Sequence, residues 1–254
     1  MKKLIDENLL TEASKIIKNS KDIVVFTGAG SSTESGIADF RSEGGLWSRY
    51  DPSIYANYYY FLRDPSKFWE MHNDLVDILT KAEPNLIHTS IVELEKLGKI
   101  KAIITQNIDG LHQKAGSGSF YDIPIYELHG SYLNLLCIEC GKEYLFEEVE
   151  TKNTKFPICG CSGFIKPKVV LFGESLPYGV LENAINACRK CDCFLMVGSS
   201  LLVSPANYLP PIAKESGAKV IFVNRDNTIL DAIADVFLKG NGGEILTEIL
   251  KKIK

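Results

Sequence analysis

The chain has 254 residues, 45% hydrophobic and 24% charged, with a formal net charge of −4. That is the composition of a globular protein with a sizeable core, and its acidic balance argues against binding dominated by nucleic-acid phosphates. MKKLIDENLL is interrupted by Asp6 and Glu7 before a signal-like apolar run forms, and no stretch is apolar for the length of a bilayer; a cytoplasmic protein with no membrane partner is expected.

A helical period around Leu9, Ala13, Ile16 and Ile17 leads into a strand candidate, Ile23–Thr27. Later strand candidates are Ala102–Thr105, Ile125–Leu128, Phe194–Val197, Val220–Val223 and Val236–Leu238, with helical patterns at Ile87–Leu97, Leu181–Cys188, Ala206–Ser216 and Glu244–Lys252. Short, nearly continuous apolar strands alternating with helices predict an α/β fold: a Rossmann-like parallel sheet with helices on both faces. Two excursions interrupt the rhythm. Residues 42–84 are rich in aromatics without a strand period, and 131–167 hold four cysteines.

After Ile23–Thr27, GAGSS sets Gly28 and Gly30 where a strand–turn–helix unit presents backbone N–H groups to an anion. A hydride-transfer fingerprint needs a third glycine where Thr33 stands, and an acidic residue about twenty positions on, which is absent. On these residues alone the loop is either a dinucleotide site or an ordinary tight turn, and a dehydrogenase is disfavoured. TQNIDGLH follows the second strand, at the end where parallel sheets place ligands, although Asn, Asp and Gly also favour plain turns. His129 ends the strand-like IYEL, and a near-neutral imidazole there suits a general base; His88 and His112 are taken as structural. Cys137-x2-Cys140 and Cys159-x-Cys161 supply four thiolates, the ligand count of a closed, structural zinc site. Seven cysteines without a secretion signal suit a reducing compartment. Cys188, Cys191 and Cys193 are read as small core residues.

Taken together, GAGSSTESGIADFRSEGGLW, TQNIDGLHQKAG, ELHG, KPKVVLFGESLP, GSSLLVSPA and NRD, spanning residues 28 to 226, resemble the sirtuins, NAD-dependent protein lysine deacylases. The departures are Ala38 for a usual proline, Ser199 for threonine, and CxC for the second CxxC. The resemblance implies one sirtuin catalytic domain: an NAD-binding core of 1–41, 85–130 and 168–254, a cofactor-loop and helical insertion over 42–84, and a zinc ribbon over 131–167. It implies NAD contacts from Gly28, Ala29, Gly30, Ser31, Thr33, Phe40 and Arg41, the last two shielding the ribose and helping hold the phosphate. Gln106, Asn107, Ile108, Asp109 and His129 follow for the nicotinamide–ribose end, with Asn107, Asp109 and His129 catalytic. Gly198, Ser199, Ser200, Asn224 and Asp226 follow for the adenosine side. One structural zinc would sit on Cys137, Cys140, Cys159 and Cys161. Val170, Phe172, Gly173 and Glu174 would pair main chain with an acyl-lysine peptide.

By the family mechanism the acyl oxygen attacks the nicotinamide-bearing ribose, His129 removes a hydroxyl proton, and lysine, nicotinamide and O-acyl-ADP-ribose result. A deacetylase is expected. A tyrosine–arginine pair marks relatives that remove acidic acyl groups, and aligning on Asp64-Pro65 puts His72 and Leu75 there; Leu75 cannot pair a carboxylate. ADP-ribosyl transfer, NAD hydrolysis, long-chain deacylation and a non-catalytic NAD-sensing or zinc-ribbon interaction module are the alternatives. A monomer is the default, with no nucleic-acid partner.

Overall fold

The computed structural model describes residues 6–40 and 44–254, so Arg41 lies outside the described residues. In chain order the strands are β1 (Ile23–Thr27), β2 (Ile100–Thr105), β3 (Ile125–Glu127), β4 (Gly130–Cys137), β5 (Glu143–Leu145), β6 (Ile165–Val169), β7 (Cys193–Val197), β8 (Lys219–Asn224) and β9 (Val236–Lys239). The helices are α1 (Glu7–Asn19), α2 (Pro52–Tyr55), α3 (Tyr58–Arg63), α4 (Ser66–Lys81), α5 (Leu86–Lys96), α6 (Leu111–Ala115), α7 (Val180–Lys190), α8 (Leu209–Glu215) and α9 (Gly242–Ile253).

Six strands form a parallel sheet in the order β3-β2-β1-β7-β8-β9. All five residues of β1 and all five of β7 are buried, which is why their sequences are continuously apolar rather than alternating. One face packs Leu10 and Ile17 of α1, Ile87 and Ile91 of α5 and Ile245 and Ile249 of α9. The other face packs Ala184 and Cys188 of α7 and Leu209 and Ala213 of α8. Strand order runs outward from β1 in both directions, so the crevice between the carboxyl ends of β1 and β7 is a topological switch point, where open α/β sheets bind ligands.

A third core joins the two excursions. α4 contributes Phe68, Trp69, Met71 and Val76, and the antiparallel sheet β5-β4-β6 contributes Leu135, Ile165 and Val169. Trp69 is wholly buried and donates its indole N–H to the Ile165 carbonyl at 3.3 Å, satisfying its one polar atom.

Three local details differ from the sequence expectations. The glycine loop continues not into an α-helix but into two 3-10 turns, Ala29–Ser31 and Thr33–Ser35. The helix expected over Ala206–Ser216 is a 3-10 turn, Ala206–Tyr208, followed by α8, because Pro210 and Pro211 lack an N–H and are tolerated only in a first helical turn. β3 stops at Glu127, and the chain turns through Gly130 (φ 73°) into β4; a Cβ there would lie 1.8 Å from the Lys168 carbonyl oxygen. Among the described residues no helix is long and apolar enough to cross a membrane.

Candidate active site

The carboxyl ends of β1, β2, β7 and β8 open into a cavity of about 1130 Å³. Its geometry starts with backbone packing. The Gly30 N–H donates to the Gly198 carbonyl at 2.8 Å, and Gly28 N–H to the Val197 carbonyl at 3.3 Å. Gly198 has φ 66°, and a Cβ on it would meet the Ser31 nitrogen at 2.3 Å. The glycines expected to admit a phosphate therefore also let the first loop lie against the end of β7.

Behind this loop lies a connected polar floor. Asn107 Nδ2 lies 3.2 Å from the Gly28 carbonyl, 3.0 Å from Ser31 Oγ and 3.1 Å from Ser32 Oγ. Ser32 donates to Asp109 Oδ2 at 2.7 Å, while Asp109 Oδ1 accepts the Leu111 N–H at 3.0 Å and so starts α6. Gln106 donates from Nε2 to Ser199 Oγ at 2.8 Å, tying β2 to the loop after β7. His129 Nδ1 sits 3.0 Å from the Gln106 carbonyl oxygen. A carbonyl can only accept, so Nδ1 carries the proton and Nε2 is left with its lone pair. Burial lowers the His129 pKa, partly offset by that hydrogen bond, and so favours the neutral ring.

Ala29, Gly30, Thr33, Phe40, Gln106, Asn107, Ile108, His129, Gly198, Ser199, Ser200, Asn224 and Asp226 all line this one cavity. Gly28 and Ser31 hold the lining residue Asn107, and Asp109 joins the same network through Ser32. His112 and His88 are wholly buried below: His112 Nε2 is 2.8 Å from Thr27 Oγ1, and His88 Nδ1 accepts the Asn85 N–H at the start of α5. Burial pushes their pKa values down to about 3 and about 4.

The opposite wall is apolar. Phe68, Met71, His72, Leu75 and Leu79, one face of α4, line it together with Leu46, Ala56 and Val169. Phe40 and Trp47 (5.2 Å between centroids) and Trp47 and Phe172 (6.2 Å) close the side between them. His72 is the sole polar side chain on that α4 face. Its ring lies among Phe68, Trp69 and Phe146, with the adjacent Asn73 side chain as its polar neighbour, and burial, partly offset by Asn73, pushes its pKa down to about 4. Sequence reading found His72 and Leu75 but not Phe68, Met71 or Leu79, although the i, i+3, i+4, i+7, i+11 spacing was there to find.

Val170, Phe172, Gly173 and Glu174 form part of the cavity rim. The Val170 N–H donates to the His129 carbonyl at 2.9 Å, so this segment is tied directly to the histidine. Phe172 has no main-chain group to spare on that side: its N–H goes to Ala56 O and its carbonyl accepts from Tyr58 N. The Glu174 carboxylate takes Lys166 Nζ and the Leu171 N–H, both at 3.0 Å, and Lys166 itself is buried. Gly173 makes no main-chain hydrogen bond to the other described residues. Val203, Ser204 and Pro205, from the GSSLLVSPA string, line the same cavity.

The four cysteines converge at the far ends of β4 and β6. Their sulfurs all lie within 4.8 Å of one another, with Cys137–Cys161 at 3.5 Å and Cys140–Cys159 at 3.7 Å. A tetrahedral zinc with Zn–S near 2.3 Å needs S···S spacings of about 3.8 Å. The cluster fits that ion and leaves no fifth position. The one-residue-shorter second pair closes through Ser162, at φ 72°, whose N–H donates to the Cys159 carbonyl at 2.8 Å. Cys188, Cys191 and Cys193 are buried separately and join no metal-ligand cluster among the described residues.

Residues 28–205 match the Sir2 family model. The chain is 48% identical to NAD-dependent protein deacylase 2 of Archaeoglobus fulgidus, over 98% of this chain and 97% of that one. It is 41% identical to the NAD-dependent protein deacetylase of Thermodesulfovibrio yellowstonii, over 96% and 95%. Among solved structures, a Sir2 enzyme studied for mechanism and regulation superposes with a TM-score of 0.90 at 46% identity, covering 98% of both chains. Sir2Af2 bound to a myristoylated histone peptide superposes with a TM-score of 0.81 at 41% identity, again over 98% of both. With the fold, the cavity and the cysteine cluster agreeing with these similarities, the chain belongs to the Sir2 family.

Proposed function

We propose that this protein is an NAD-dependent protein lysine deacylase, with acetyl-lysine as its basic substrate, that transfers the acyl group to ADP-ribose and releases nicotinamide. The observation that carries the reading is the His129 ring: Nδ1 is committed to the Gln106 carbonyl, which leaves Nε2 as a base in the wall of the cavity that Asn107 also lines. A module that only sensed NAD would have no use for a base so held. When bound, NAD supplies an electrophilic ribose carbon with nicotinamide as its leaving group.

The chain's own residues do the rest. His129 Nε2 accepts a proton from a ribose hydroxyl, and the Gln106 carbonyl stabilises the resulting imidazolium at Nδ1. Asn107, fixed by Gly28, Ser31 and Ser32, orients the ribose end, and Asp109 holds Ser32 and the start of α6. Gln106, Ile108, Ser199, Ser200, Asn224 and Asp226 position the remainder of the dinucleotide. Phe40, Trp47 and Phe172 keep water from the reacting carbon. Because the Phe172 main chain is committed to residues 56 and 58, an acyl-lysine peptide pairs with Gly173 and its neighbours on one side and with Val203–Ser204 on the other. The four cysteines hold zinc as a structural ion.

The apolar face of α4 favours a wider acyl range than acetyl. Five side chains from Phe68 to Leu79 line a wall about 16 Å long at the helical rise, long enough for a fatty acyl chain, and a similar protein binds a myristoylated peptide. The test is nicotinamide release from NAD with acetyl-, succinyl- and myristoyl-lysine peptides, and with no peptide. Release that depends on acetyl or myristoyl peptide supports the reading. Release without any acyl peptide replaces it with NAD hydrolysis or ADP-ribosyl transfer.

A further inference from the structure

Tyr144, on β5, is not one of the zinc ligands, yet its hydroxyl lies 3.1 Å from Cys159 Sγ. When Cys159 is a metal-bound thiolate it has no proton, so the phenol must be the donor. We propose that Tyr144 is a positioning residue for the metal: its hydrogen bond to the Cys159 thiolate sets how tightly zinc is held.

A zinc ion with four thiolates carries a net charge of −2, and each hydrogen bond to sulfur offsets part of that charge while fixing the ligand's direction. The tyrosine is itself well placed. β5 pairs Tyr144 with Leu135 of β4, and Leu135 is wholly buried. Lys142 Nζ lies 4.9 Å from the ring centroid, a cation over the π face that holds the ring from the solvent side. The four ligands are not equivalent: Cys137 and Cys159 are buried, whereas Cys140 and Cys161 are exposed. Tyr144 therefore braces one of the two ligands that anchor the ion to the core, while the exposed pair faces competing chelators.

This matters to the catalytic end because β4 begins at Gly130, next to His129, and ends at Cys137. β6 runs from Ile165, paired with Cys137, to Val169, paired with Gly130. The zinc closes one end of a two-strand clip whose other end carries the histidine and the substrate rim.

The experiment compares wild type, Tyr144→Phe and a protein carrying 3-fluorotyrosine at 144, a more acidic donor of nearly the same shape. Zinc affinity is measured by competition with a colorimetric chelator, and the sulfur-to-metal charge-transfer band is recorded after cobalt replaces zinc. Tyr144→Phe should bind zinc about tenfold more weakly and shift the cobalt band to lower energy, with fluorotyrosine moving both in the opposite direction. Affinity within twofold of wild type and an unmoved band in folded Tyr144→Phe overturn the proposal. If Tyr144→Phe does not fold, an unmoved affinity and band in the fluorotyrosine protein overturn it instead.

Discussion

The two walls of the cavity are built on opposite principles. On the sheet side, Gln106, Asn107, Asp109, Ser31, Ser32 and His129 form a network in which each side chain has a protein partner. On the α4 side the lining is apolar, and the one polar residue, His72, is buried among aromatic rings with only the Asn73 side chain as a polar neighbour. A satisfied network in a low-dielectric setting is rigid, because breaking any one bond strands a buried group at a cost of about 1–3 kcal/mol. An apolar wall carries no such directional constraint and can be reshaped by volume alone. The first wall suits a fixed reaction, and the second suits a variable acyl group.

The largest effect should come from the network. His129→Ala removes the base and should lower nicotinamide release with acetyl-lysine peptide by about 10²–10⁴-fold. The protein should remain folded, because His129 is only partly buried and its ring makes one hydrogen bond. Steady-state rates alongside a thermal melt check this; near-normal turnover would move the base elsewhere.

Next in size is a change confined to the opposite wall. Leu79→Trp adds bulk where α4 lines the cavity farthest along the helix from Phe68. Turnover of myristoyl-lysine peptide should fall by about tenfold or more, the scale on which pocket volume discriminates aliphatic groups, while acetyl-lysine turnover stays within about threefold. Parallel losses on both peptides would show that the two walls are not separable.

A smaller effect separates the walls by pH. His129 works as a neutral base, and burial lowers its pKa from 6.5. Activity should therefore be full at neutral pH and decline on the acid side with a midpoint below 6.5, each further pH unit costing about tenfold once the ring is mostly protonated. A midpoint above 6.5 in the profile of kcat/KM would contradict the burial argument.

The contrast also explains what could be read from the chain alone. The sheet wall was legible because backbone geometry restricts residue type: a Cβ on Gly198 would meet the Ser31 nitrogen at 2.3 Å, and one on Gly130 would meet the Lys168 carbonyl. Such positions leave short, recognisable strings. The parallel strands were legible for a similar reason, since burial on both faces makes them continuously apolar. The 3-10 turns after Gly28 were not, because GAGSS is equally compatible with a helix start. The partition of residues 170–174 was also hidden: that Phe172 pairs with residues 56 and 58, and that Glu174 turns inward to Lys166, depends on segments far apart in sequence. The α4 wall carried a readable helical period, but nothing local says which face of an amphipathic helix meets a cavity rather than a core.

His72 gives the finest test of the comparison. Its ring titrates near 6.5 in the unfolded chain and at about 4 in the fold, where burial disfavours the charged form. The unfolded state therefore binds the proton first as pH falls. Its contribution to stability is complete above pH 6.5, declines between 6.5 and about 4, and amounts to roughly 3 kcal/mol at most. His88 and His112, buried below the other wall, act in the same direction over a similar range. His72→Phe places an uncharged ring among Phe68, Trp69 and Phe146 and removes two buried ring nitrogens. The variant should melt at or above the wild-type temperature at pH 7, and its stability should fall less steeply between pH 6.5 and 4.5, with the remaining slope carried by the two floor histidines. Urea titrations at four or five pH values measure both quantities. An unchanged slope would mean that the His72 ring meets water or a partner in solution, and the α4 wall would then be less apolar than its lining implies.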